Sequence, residues 1–149
     1  MPNECKLLLN LKHADHAVLG KAQSSFEQGT FLKDFVPCAP DALSQIDNWG
    51  TKWDISHVQI LKSTNKLLQV EAMSANDPPL RALHKLKNQG FQIVVHYCEP
   101  GFDYCGTWND GSDRRYSIQD DVGSIPANLE HLFQLSQYRE IEDEESWEE

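Results

Sequence analysis

Phe91-Gln92-Ile93-Val94-Val95-His96-Tyr97-Cys98 decides how this chain is read. The run is rich in β-branched and aromatic residues and is bounded by Gly90 on one side and Glu99-Pro100-Gly101 on the other, so it reads as a strand. After the turn at Glu99-Pro100-Gly101-Phe102, Tyr104-Cys105-Gly106-Thr107-Trp108 returns as its partner. Asn109-Asp110-Gly111-Ser112 makes another turn, and Arg115-Tyr116-Ser117-Ile118 adds a last short strand. Upstream, Asp77-Pro78-Pro79 opens a helix with Asp77 as cap, Leu80, Leu83 and Leu86 line its inner side, and Asn88-Gln89-Gly90 ends it.

Further toward the N-terminus, Ile55–Leu61 and Lys66–Ala72 read as two strands joined by a turn at Ser63-Thr64-Asn65. Cys5, Leu7, Leu9 and Leu11 recur at period two, the mark of a first strand with one buried face. Ala14, Val18, Ala22 and Phe26 recur at helical spacing, with Asp15 as cap and Gly29 past the end. Phe31–Val36 alternates weakly and is expected to be a short strand, and Asp41 caps a short helix reaching Asn48. Pro126 to Arg139, with Leu129, Leu132, Phe133 and Leu135, forms a terminal helix. Helices packed on one face of a mainly antiparallel sheet satisfy this order, so the expected class is α+β.

The 149 residues suit one domain, expected over 1–139, and are enough to enclose a core. No apolar run approaches the roughly 20 residues a bilayer span needs. The opening Met1-Pro2-Asn3-Glu4-Cys5 has no basic, then apolar, leader pattern, so the expected location is the host cell cytoplasm. Four widely spaced cysteines (Cys5, Cys38, Cys98 and Cys105) are expected as free thiols in a reducing compartment, although Cys98 and Cys105 could face each other across the hairpin.

Charge is uneven. Thirteen Lys/Arg stand against 23 Asp/Glu, a net of −10. The segment 140–149 holds seven of the acids (Glu140, Glu142, Asp143, Glu144, Glu145, Glu148 and Glu149) and no base; without it the net would be −3. An acidic protein repels phosphates, which disfavours direct nucleic-acid binding and favours a basic protein partner. The tail reads either as a solvated terminus that raises solubility or as a mimic of a phosphate array, with Trp147 as an aromatic anchor among the acids.

Trp49-Gly50-Thr51-Lys52-Trp53-Asp54 precedes the first strand of the hairpin. This hexapeptide, followed by the hairpin, the Pro-led helix and the aromatic meander, resembles the Api92-like, or YubB-like, family of phage and plasmid proteins. The resemblance covers residues 49–118 well and the first 48 less well, and Asn3 before a Leu-rich strand is similar to the family's opening. It implies a ferredoxin-like βαββαβ domain without an iron–sulfur cluster, and a mobile-element origin. It brings no catalytic residues. By analogy it implies action against a host defence system, of the anti-CRISPR or anti-restriction type.

Each candidate chemistry stands beside a plainer reading. Trp49 and Trp53 could clamp a partner, with Lys52 supplying charge; alternatively one or both plug the sheet edge. His96 and Cys98 share a strand face and, with Cys105 and His57, could bind zinc or serve a small enzyme, yet the tight ligand spacings of zinc sites are missing. His13 and His16 flank the cap Asp15, where exposed polar residues are common. Asn109-Asp110-Gly111-Ser112-Asp113 lacks the later bidentate Glu of a calcium loop. The leading expectation is therefore a non-enzymatic binding protein, without cofactor, that inhibits a basic nucleic-acid-handling host protein. Its contacts would be the tail acids, Trp147, Trp49 and Trp53. A homo-oligomeric scaffold using an open sheet edge is the third expectation.

Overall fold

The computed structural model describes residues 3–120 and 122–139. The acidic segment 140–149, including Trp147, lies outside the described residues.

The central strand is β1 (Glu4–Lys12), and its alternation sets the layers of the molecule. Cys5, Leu7, Leu9 and Leu11 are buried on one face. The intervening residues point to the other face. The remaining elements in chain order are α1 (His16–Gln28), α2 (Phe31–Phe35), α3 (Ala42–Trp49), β2 (Ser56–Ser63), β3 (Leu68–Ala75), α4 (Leu80–Asn88), β4 (Gln92–Glu99), β5 (Tyr104–Asn109), β6 (Ser112–Ser117) and α5 (Ala127–Phe133). Among the described residues the six strands form one antiparallel sheet in the order β2-β3-β1-β4-β5-β6. Leu7 stands between Ala72 of β3 and Tyr97 of β4. The α+β class and the antiparallel sheet are thus as expected.

The main core fills the space between one sheet face and the helices. Leu7, Leu9, Val70, Val95 and Trp108 of the sheet meet Phe26 of α1, Phe31 of α2, and Leu83 and Leu86 of α4. Asp15 caps α1 through its carboxylate to Ala17 N (2.9 Å), and Gly29 ends it in the left-handed conformation (φ 77°). Asp41 caps α3 through Ser44 N (2.8 Å).

Four local expectations are corrected. Phe31–Val36 is not a strand, because Phe31–Phe35 forms α2. Phe31 and Leu32, adjacent in sequence, both pack into the same main core, as neighbouring residues on the inner side of a helix can. Phe31 also stacks on Phe26 at 3.9 Å between ring centroids. Asp77 does not cap α4; its carboxylate accepts the Tyr104 hydroxyl at 3.0 Å. The terminal helix breaks at Gln134 (φ 49°), so α5 is followed by a 3-10 turn over Leu135–Tyr138. Finally, the helices are not all on one face. A second, smaller core joins Cys98 and Cys105 to Ile118, Ile125, Leu129 and Leu135. Cys98 pairs with Lys6 rather than with the Leu7 face, so α5 and the 3-10 turn cap one end of the opposite face.

Candidate functional site

The tryptophan-rich hexapeptide is a structural clip. Trp49 is only 3% exposed, and its indole N–H donates to the Val36 carbonyl at 2.6 Å. Gly50 closes α3 with φ 87°, and a Cβ there would meet the backbone that starts α4, 3.4 Å from Leu80 N. The Thr51 hydroxyl donates to the Ala75 carbonyl (3.0 Å) and accepts from Ala75 N (3.1 Å). The Asp54 carboxylate accepts Leu32 N and Lys33 N (2.9 Å each) and Ile55 N (2.8 Å), capping α2 from 22 residues away. Burial raises the Asp54 pKa against the lowering effect of those three N–H groups. Lys52 and Trp53 are the exposed residues of the clip, with Gly50 and Asp54 half-buried, and Trp53 is 41% exposed. Of the two tryptophans expected at a partner contact, Trp49 is therefore core and Trp53 is accessible.

The histidine and cysteine set is dispersed. His96 Nδ1 and Thr107 Oγ1 are 2.8 Å apart on the sheet face opposite the main core, and desolvation lowers the His96 pKa. Cys98 and Cys105 are directly opposed but buried under the C-terminal cap. Burial pushes their thiols up to about 12 and about 11. His57 lies on β2, with β3 and β1 between it and β4. At about 4.8 Å per strand, that is roughly 14 Å. Among the described residues no three His, Cys, Asp or Glu side chains converge as metal ligands.

His57 does have polar neighbours. Ser56 Oγ lies 3.1 Å and Glu4 Oε2 3.8 Å from the same nitrogen, Nδ1. A nucleophilic triad needs the hydroxyl and the carboxylate on different ring nitrogens, so this arrangement does not relay a proton. His13 is a structural tie, with Nε2 at 3.1 Å from the Gln89 carbonyl and Nδ1 accepting Asp15 N at 3.0 Å. The Asn109–Asp113 stretch is a hairpin whose two-residue turn, Asp110-Gly111, has φ 48° and 113°.

What the sheet leaves open is a groove of about 380 Å³ between the β1–β3 surface and the C-terminal cap. Leu8, Met73, Leu132 and Phe133 supply its apolar lining. Lys6, Glu71 and His57 supply charge or polarity, and Gln134 and Gln137 form the cap-side rim. Lys6 Nζ donates to the Tyr138 hydroxyl at 3.0 Å, fixing the end of the cap to the groove floor. Arg139 is held by a two-point ion pair to Glu130 (3.1 and 2.6 Å) and by its Nε donating to the Ile118 carbonyl. The last described residue is thus anchored at the cap, and the acidic segment begins there. Sequence reasoning missed this groove because its walls come from β1, β3 and α5, and no local pattern joins them.

A shallower trough lies between α1 and the β2 edge, with Trp53, Asp54 and Val58 in its lining. His57 borders both surfaces. No helix among the described residues is long and apolar enough to cross a membrane. No family model matches the sequence, and neither a curated protein nor a solved structure matches it.

Proposed function

We propose that this chain is a non-catalytic binding protein that seats a basic polypeptide on the groove between the sheet and the C-terminal cap. The observation that carries the reading is the anchoring of Arg139, from which the seven acids of 140–149 continue. A partner resting on Leu8, Met73 and Phe133 would meet apolar surface first and negative charge at its margin. That combination gives steering from the charges and hold from the apolar contact. Trp53, exposed beside His57, would extend the contact around the β2 edge.

The partner class follows from charge: a protein whose Lys/Arg-lined surface handles nucleic acid, with the acidic segment standing in for phosphates. A mobile-element setting makes a host defence protein the target, in the manner of anti-CRISPR or anti-restriction inhibitors. The same reading includes a ferredoxin-like origin for β1 to β4. Its support is the order β2-β3-β1-β4, in which β1 and β3 separate the ends of two crossovers, with β5 and β6 added beyond β4. A second reading, self-association, is favoured by β6, which pairs only with β5 among the described residues and so presents a free edge.

The test is anisotropy of a labelled arginine-rich peptide with the full chain across a salt series. Truncation after Arg139, or Met73→Lys in the groove, is expected to weaken binding by about tenfold or more. Binding unchanged by both alterations would sink the proposal. Light scattering of the chain alone decides the self-association reading.

A further inference from the structure

We infer that Cys98 and Cys105 are a reactive dithiol that closes to a cross-strand disulfide when the C-terminal cap lifts. The register puts the two cysteines directly opposite each other on β4 and β5. Which kind of pair they form follows from the next strand positions. Asp110 N donates to the Ile93 carbonyl at 2.9 Å, so that pair is hydrogen-bonded across β4 and β5. Alternation along an antiparallel ladder makes 110, 108, 106 and 104 the hydrogen-bonded positions of β5, and leaves Cys105 in a non-hydrogen-bonded pair with Cys98. Such pairs bring the Cα atoms to about 4.5 Å, with side chains on the same face and close together. Disulfides span Cα separations from about 4.4 to 6.8 Å, so the backbone needs little adjustment.

Both cysteines are free and fully buried. Their cover is the small cap: Ile125, Leu129 and Leu135 together with Ile118. The other two cysteines do not compete. Cys5 lies on the helix-covered face, and Cys38 packs at the margin of the main core. The cap is held by few polar contacts. Among the described residues they are Lys6 to Tyr138, Arg139 to the Ile118 carbonyl, and Gln119 Nε2 to the Tyr138 carbonyl at 3.0 Å. The Glu130–Arg139 ion pair, nearly enclosed at 13% and 16% side-chain exposure, lies within the cap and braces Arg139, whose bond to the Ile118 carbonyl latches the cap to the end of β6. While the cap is closed, both thiols are fully buried from an oxidant, and the raised pKa values leave little thiolate.

The chemistry needs a two-electron oxidant such as a peroxide. One thiolate attacks a peroxide oxygen and becomes a sulfenic acid as hydroxide leaves. The second thiol displaces the sulfenic oxygen, forming the S–S bond and releasing water, for a total of two thiols and one hydrogen peroxide giving one disulfide and two waters. The proposal does not depend on the partner reading, although a partner in the groove would touch Leu132 and Phe133 of the same cap.

The experiment treats the full folded chain with hydrogen peroxide at neutral pH, quenches it with an alkylating agent and maps peptides without reduction. The expected product has lost about 2 Da in a cross-linked Cys98–Cys105 peptide. Arg139→Met, which removes the latch, should speed its appearance roughly tenfold or more. Cys105→Ser should abolish it. If Arg139→Met lacks native near-ultraviolet circular dichroism, Lys6→Met, which removes the tie from β1 to the Tyr138 hydroxyl, supplies the same comparison. The inference is overturned if Cys98 and Cys105 stay reduced in wild type and latch variant alike after Cys38 has reacted. It is equally overturned if the cross-link forms at one rate in both, because the cap then gates nothing.

Discussion

Thr51→Val swaps a hydroxyl for a methyl of nearly the same size, and the structure says what should follow. Thr51 is 2% exposed, and its oxygen serves both backbone groups of Ala75. Ala75 lies opposite Glu4 across β1 and β3. The neighbouring pair is hydrogen-bonded, since Asn76 N donates to the Asn3 carbonyl at 2.7 Å, so Ala75 turns its own groups away from β1. On that outer side the β2–β3 register ends at Ser56 and Met73, two residues short. The Thr51 side chain fills the place of the missing strand. Valine would leave a buried N–H and a buried carbonyl unpaired, at about 1–3 kcal/mol each before relaxation. Allowing for relaxation, the expected loss is about 2–4 kcal/mol, or roughly 5–12 °C in Tm for a chain of this size. Urea unfolding followed by tryptophan fluorescence measures it, with an unchanged m-value expected. Thr51→Ser keeps the hydroxyl and should retain most of the stability. The reasoning is refuted if the valine variant stays within about 0.5 kcal/mol of wild type, or if serine is as damaging as valine.

Gly106→Ala should cost about 3 kcal/mol, because a Cβ there would overlap both the Arg114 carbonyl oxygen and the hydroxyl of Tyr97. A thermal melt at wild-type temperature would contradict that. His96 gives a pH dependence. Its folded pKa lies below the ordinary 6.5, so as pH falls through 6.5 the unfolded chain takes up a proton that the native one resists. Stability should therefore decline from pH 6.5 downward until the folded value is reached. His96→Gln should flatten that part of the curve, and identical slopes in both proteins would count against it.

Much of the secondary structure was legible because its signals are local. The period-two leucines of β1, the Asp15 and Asp41 caps, the Asp110-Gly111 turn and the apolar run of β4 each act over a few residues. The misreadings share one cause, a partner distant in sequence. Phe31–Phe35 is helical because the Asp54 carboxylate and the Phe26 ring meet it there. Asp77 serves Tyr104 instead of its own helix. Trp49, a candidate anchor by residue type, is fastened inside by the Val36 carbonyl.

By itself, the sequence determined the α+β class, most element positions and the uneven charge, since periodicity, caps and composition need no tertiary information. Only the tertiary structure decided the strand order and how the hexapeptide divides between clip and surface. It also decided which face α5 covers and where the groove lies. Each of these depends on side chains meeting across dozens of residues, where pairing and burial, rather than local preference, set the free energy.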